Sequence, residues 1–214
     1  MDWQLPKQAH KGRGAVSNRV GRFERMDRFA INDGWSLESD ERERVTTTLS
    51  VDTARTVIAR NNSPDVPFDR SINPYRGCEH GCSYCFARPT HAFYGLSPGL
   101  DFESRLFYKP DAAERLRKEL DDPKYRPDVI ALGTNTDPYQ PVEREQRLTR
   151  QILEVLAEYN HPFGIVTKSD LVLRDADIIG PMAAKGMAAV TLSVTTLDRN
   201  LARKLEPRAP TPPK

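Results

Sequence analysis

The sequence predicts an α/β fold: a parallel sheet with helices packed outside it, behind a basic N-terminal extension. Three observations carry the prediction. Short apolar runs at 128–133, 163–167 and 188–194 have the length and composition of strands buried on both faces. The stretches between them place apolar residues at helical spacing. The runs start 35 and 25 residues apart, enough for a strand, a helix and their two connections.

Taken in order, residues 1–65 read as a basic, largely flexible extension and residues 66–214 as the core domain. In the first 28 residues Lys7, Lys11, Arg13, Arg19, Arg22, Arg25 and Arg28 face only Asp2, Glu24 and Asp27. The stretch 11–19 has no apolar period and reads first as a solvated tail. The same charges also suit contact with nucleic-acid phosphates. Residues 45–51 are extended, and Asn61-Asn62-Ser63-Pro64 is a loop signal. Residues 71–75 form a short extended segment that leads into the cysteines. Residues 102–108 have strand character with partial alternation. Asp111 is positioned to cap a helix through Leu120, with Leu116 and Leu120 on one face. Thr149 opens a helix that carries Ile152, Leu153, Leu156 and Ala157 at helical spacing. A further helix spans 176–185 and stops at Gly186. Asp198 caps a last one over residues 199–205. The chain ends on Pro207-Arg208-Ala209-Pro210-Thr211-Pro212-Pro213-Lys214. Four or five parallel strands are too few to close a barrel. An open half-barrel leaves an edge strand unpaired, which predicts further strands, or a partner, beyond this chain.

Of the 214 residues 29% are charged and 38% hydrophobic, and no run of about 18 apolar residues is present, so no spanning helix is expected. The N-terminus has no apolar segment of a secretory signal. Clustered free thiols are read as metal ligands in a reducing compartment, which predicts a cytoplasmic protein.

All three cysteines lie within eight residues, Cys78-Glu79-His80-Gly81-Cys82-Ser83-Tyr84-Cys85. A structural zinc site or a ferredoxin-type cluster takes four protein ligands. Three thiolates in one tight loop suit a [4Fe–4S] cluster with one iron left open for a small bidentate molecule. Gly77 and Gly81 let the loop wrap closely, and Tyr84 sets an aromatic ring beside the last ligand. The alternative is zinc with His80 or His91 as fourth ligand, in a zinc-stapled nucleic-acid-binding module that uses the basic arm.

The C-x3-C-x-aromatic-C pattern resembles the signature of radical S-adenosylmethionine (radical SAM) enzymes. The surrounding segment from Asn73 to Arg88 is similar to the branch related to spore photoproduct lyase. So are Gly133-Thr134-Asn135-Thr136-Asp137-Pro138-Tyr139-Gln140-Pro141-Val142-Glu143, the stretch from Thr191 to Asp198, and Leu205-Glu206-Pro207-Arg208-Ala209-Pro210. The resemblance implies a partial (β/α)6 barrel, incomplete at its C-terminal side, with a [4Fe–4S] cluster on Cys78, Cys82 and Cys85. It implies reductive cleavage of S-adenosylmethionine to a 5′-deoxyadenosyl radical that abstracts hydrogen from a substrate. It also implies an external electron donor of flavodoxin or ferredoxin type and, through the lyase branch, DNA or RNA as a substrate.

Two departures are visible. The Gly-Gly-Glu usual after the second core strand is replaced by residues 133–137. Here Gly133 is expected to allow close backbone approach, and Thr136 or Asp137 to bond the methionine moiety. The lyase's further cysteine is also missing; Thr134 lies near its place and, with the rest of 133–137, belongs to the expected cofactor bed. Lys168 is a candidate partner for the methionine carboxylate, Ser193 for the ribose, and Tyr84 for the adenine. Asp137 and Glu143 are candidates for acid–base work, His91 and Tyr94 for substrate contact, and Glu206 with Arg208 for an ion pair at the rim.

Overall fold

The computed structural model describes residues 10–25 and 45–212. Lys7 and Arg28 of the basic arm lie outside them. The main sheet has five strands in the order β2 (Ile58–Arg60), β3 (Arg70–Ile72), β6 (Ile130–Leu132), β7 (Phe163–Thr167), β8 (Ala188–Leu192). The last four run parallel, and β2 closes one edge antiparallel to β3. Register is set by Ile72 opposite Leu132, Leu132 opposite Ile165 and Ile165 opposite Val190.

Helices α2 (Ala112–Leu120), α4 (Leu148–Glu158) and α5 (Ala176–Ala184) supply the other half of the core. Leu116, Ile152, Leu153, Leu156, Ile179 and Met182 pack with Ile72, Ile130, Leu132, Phe163 and Ile165 in one cluster. Burying each large side chain contributes about 1.5–3 kcal/mol. Alternation in β7 shows the asymmetry of the sheet. Phe163 and Ile165 are buried, whereas Val166 is 44% exposed and Gly164 faces open space. On β8 even Val190 and Leu192 are exposed.

Two local expectations change. Within 102–108, α1 (Leu100–Ser104) precedes a shorter strand, β5 (Arg105–Tyr108). That strand leaves the main sheet and lies between β1 (Thr48–Val51) and β4 (Tyr75–Arg76). The helical half follows from Glu103, which is fully buried against the N-terminal arm. Asp111 precedes α2 but bonds Arg115 at 2.6 Å instead of the helix backbone. Asp198 does cap α6 (Arg199–Leu205), accepting from the amides of Asn200 and Leu201.

The described part of the first 65 residues is docked on the body. Arg13 is 5% exposed and donates to the carbonyls of Glu103 and of Val45 and to the hydroxyl of Thr47. The amides of Gly14 and Ala15 donate to the Glu103 carboxylate at 2.9 and 2.8 Å, and Arg88 pairs with it at 2.6 Å. A buried carboxylate is costly unless every oxygen is satisfied, so Glu103 fixes these arm residues in place. Strand β1 and core residues Val57 and Ile58 complete the attachment. No helix among the described residues is long and apolar enough to cross a membrane.

A second buried polar layer joins the loop after β6 to α4 and to the turn Asp170–Asp175. Arg174 bridges Glu143 and Asp175 at 2.7 and 2.8 Å, Arg150 meets Asp175 at 3.0 Å, and the hydroxyls of Tyr75 and Tyr139 donate to Glu143 and Asp175. Glu143, expected as an acid–base group, is a fully buried member of this brace. Burial pushes the Asp175 carboxyl up, but hydrogen bonds from Arg174 and Arg150 outweigh it and hold the group below its ordinary range. A depressed folded-state value means that its stabilisation is present above the unfolded value and lost as pH falls through the folded one. Urea midpoints are therefore expected to hold down to about pH 5 and to fall below about pH 4. Asp175→Asn should lower the midpoint at neutral pH and flatten that acid limb; an acid limb of unchanged slope in the variant would contradict the role given to this carboxylate.

Candidate functional site

Strand β3 and the turn at Asn73-Pro74 carry the chain to Gly77, whose φ of +76° favours glycine. A Cβ there would meet Leu106 at 2.6 Å and the Phe102 carbonyl at 2.7 Å, so only glycine lets the segment pass this close to β5. The Cys78 amide then bonds the Phe102 carbonyl at 3.0 Å. Further along, the Ser83 amide bonds Leu205, the Cys85 amide bonds Cys82, and Arg88 clamps the Cys82 carbonyl through two nitrogens. The opposite side is held by Gln140. It accepts from the Glu79 amide at 2.8 Å and donates to the Thr136 hydroxyl, which itself donates to the Gly77 carbonyl at 2.6 Å.

Cys78, Cys82 and Cys85 line one cavity of about 240 Å3, together with Tyr84, Gly133, Asp137, Lys168 and Ser193. The strand ends of β6 and β7 form its other wall, where ligand crevices of parallel sheets lie. Gly133 has φ +94°, and a Cβ on it would sit 2.0 Å from the Val166 carbonyl. Cys78 and Cys82 are each 8% exposed. Burial pushes the Cys82 and Cys85 thiols up, and neighbouring Cys78 adds to both shifts. Clustered thiols whose ionisation is disfavoured until a cation joins them form a donor set for metal. Among the described residues no three Cys, His, Asp or Glu side chains converge on a point as ligands of a single ion.

The remaining expected residues divide by what their polar atoms already hold. Asp137 accepts from the Thr167 hydroxyl at 2.7 Å, the Lys168 amide at 2.8 Å and the Tyr139 amide at 2.9 Å, and lies 3.3 Å from His80 Nδ1. Burial penalises a charged His80, yet Asp137 and then Cys78 raise it to about 10. Thr136 and Thr134 line the cavity, but their hydroxyls bond Gly77 and Asn73. Lys168 donates to Ser193 at 2.9 Å and pairs with Glu206 at 2.7 Å. Tyr84 donates its hydroxyl to the same Glu206, and its ring lies under the Lys168 ammonium.

Two expectations fail. Glu206 and Arg208 do not pair with each other: Glu206 holds Lys168, and Arg208 holds Glu79 at 2.6 Å. His91 and Tyr94 do not line the cavity. His91 is fully buried, with Nε2 on the Arg105 carbonyl and its ring against Phe102, and Tyr94 stacks on Phe107. Spacing also gave no signal for Val166 and Phe86 in the wall, or for Gln140 and Asn73 as braces.

A family model described as the Radical SAM superfamily matches residues 72–213, from β3 to beyond α6. An uncharacterized protein of Mycobacterium tuberculosis is 42% identical over 151 residues, 71% of this chain and 44% of that protein. An uncharacterized protein of Methanocaldococcus jannaschii is 30% identical over 139 residues, 65% of this chain and 49% of its own length. One from Acidianus two-tailed virus is 29% identical over 146 residues, 66% of this chain and 47% of its own. The chain spans about half the length of these curated relatives. No solved structure matches it.

Gly133→Ala is expected to destabilise the protein by about 2–3 kcal/mol or more, because it combines an unfavourable φ with a backbone clash. Urea denaturation checks this; a loss below about 0.5 kcal/mol would mean that the close approach to β7 is not needed.

Proposed function

This chain belongs to the radical SAM superfamily, and we propose that its cysteine cavity holds a [4Fe–4S] cluster on Cys78, Cys82 and Cys85 and admits S-adenosylmethionine beside it. One observation carries the reading. All the cysteines of the chain line one cavity at the strand ends, and no further side chain among the described residues joins them to complete a single-metal site. Zinc needs its donors converging on one ion. A cubane takes each thiolate on a different iron and so accepts donors that are spread apart. The zinc alternative is thereby disfavoured, and His91 is in any case directed at Arg105.

A cluster and nucleotide held there by Cys78, Cys82 and Cys85 would supply one-electron reduction of a sulfonium and hydrogen abstraction from a substrate. The chain's own part is positioning. Asp137 keeps the β6 loop, the start of the β7 loop and His80 in one arrangement. Gly133 brings bare backbone to the cavity wall. Lys168 supplies positive charge for a carboxylate and Ser193 a hydroxyl for a sugar; Lys168 must share or give up Glu206 to do so. Phe86, Ala87 and Val166 give the wall an apolar part that limits water. The reading includes an external one-electron donor of flavodoxin or ferredoxin type. The likeness to the spore photoproduct lyase branch supports a nucleic-acid substrate. With no fourth cysteine, the hydrogen return of that lyase would need a different donor here.

Anaerobic reconstitution is expected to give a brown protein with about four irons per chain, which forms 5′-deoxyadenosine when supplied with reductant and S-adenosylmethionine. Cys82→Ala should lose most of the iron and all of that product. A colourless protein with a single zinc, or full iron retention in the variant, would contradict the proposal.

A further inference from the structure

A second cavity, of about 140 Å3, lies on the other side of His80 and has no part in the reading above. Its walls come from the cysteine segment, the loop before α4, the turn after β7 and the chain around and beyond α6. Three of its lining residues are arginines, Arg144, Arg203 and Arg208, against one carboxylate, Asp170. Arg144 and Arg203 are exposed and Arg208 is half-buried, so water screens part of their mutual repulsion and an anion in the concavity would balance the rest.

The protein supplies little of that balance. Arg208 is paired with Glu79. Arg203 donates to the Pro207 carbonyl at 3.2 Å, a neutral acceptor. The Arg144 guanidinium has no hydrogen-bond or ion-pair partner among the described residues, and Asp170 pairs with none of the three. The cavity has the volume of about four or five waters, enough for one tetrahedral oxyanion. Guanidinium groups offer a rigid fork of donors that matches phosphate oxygens. Three of them set around one cavity suit a tetrahedral anion better than a flat carboxylate.

We propose that the cavity of Arg144, Arg203 and Arg208 is a phosphate-binding subsite, and that the substrate of this protein carries a phosphate group. The link to the substrate comes from the shared wall. His80 lines both this cavity and the one with the cysteines, and Ser169 and Asp170 follow directly on Lys168. A phosphate held here would anchor its carrier one side chain away from the cysteines. A phosphomonoester of a small molecule and a phosphodiester of a polynucleotide share this chemistry.

The test is calorimetric titration of the full reconstituted chain with inorganic phosphate at constant ionic strength. One saturable site per chain is expected. Arg144→Gln should weaken it at least tenfold, and Arg144→Gln with Arg203→Gln should abolish it. Asp170→Asn, which removes the one carboxylate in the wall, should tighten it several-fold, a gain that a damaged fold cannot produce. Competition by a 5′-mononucleotide would identify a monoester source, and competition by a dinucleoside monophosphate a diester source. No saturable binding, affinities within twofold across all variants, or competition by neither nucleotide would overturn the proposal. The subsite claim rests on phosphate affinity alone, so a failure of cluster assembly would leave it standing.

Discussion

The carboxylate of Asp137 ties the cysteine segment to the sheet. It is nearly enclosed, with a side chain 10% exposed, and contacts the Thr167 hydroxyl, two backbone amides and the His80 ring. Burying such a charge is expensive unless its oxygens are fully engaged. The engagement fixes the relative positions of β6, β7 and the loop that carries Cys78 and Cys82. Glu103 acts in the same way on the far side of that loop, where it gathers Arg88 and the amides of Gly14 and Ala15. The cysteines are thus held between two buried carboxylates that come from different parts of the chain.

The sheet divides the molecule into a closed side and an open one. Helices cover the face of Phe163 and Ile165, while Val166 and Gly164 look the other way. On the edge strand β8, Ala188 packs against the core, but Val190 and Leu192, on the same face as Ile165, are left exposed. The cysteine cavity opens at the strand ends, and Lys168, Glu206 and Tyr84 join its wall to the segment after α6. Around that C-terminal segment lie the cysteine cavity, the arginine cavity and a third, about 280 Å3, that shares Lys168 and Ser193 with the first and Ser169 and Asp170 with the second. Ligands in neighbouring cavities would therefore act on the same few side chains.

Much of this architecture was legible because its signals are local. The cysteines lie within eight residues, the apolar runs at 163–167 and 188–194 do form strands, and Gly186 stops α5 with a φ of +71° where a left-handed residue was expected. The expectation that those strands are buried on both faces fails, because Val166, Val190 and Leu192 are exposed. What was not legible depends on distant partners. Alternation in 102–108 suggested a strand throughout, because nothing nearby shows that Glu103 turns inward to meet Arg13, Gly14 and Ala15. Glu206 and Arg208 looked like a pair because they are close in sequence; their partners, Lys168 and Glu79, are brought in only by the fold. Thr136 looked like a ligand donor by position, yet its hydroxyl is directed at Gly77 and braces the cysteine loop. The basic arm read as solvated because one sequence does not reveal which arginine finds a buried acceptor.

The proposed function depends on a metal cluster with one position that no side chain fills. The most direct measurement is electron paramagnetic resonance of the reduced, anaerobically assembled protein before and after addition of S-adenosylmethionine. A changed spectrum is expected, because the nucleotide would enter the ligand sphere of one iron. A cluster signal identical with and without the nucleotide at saturating concentration would contradict the account.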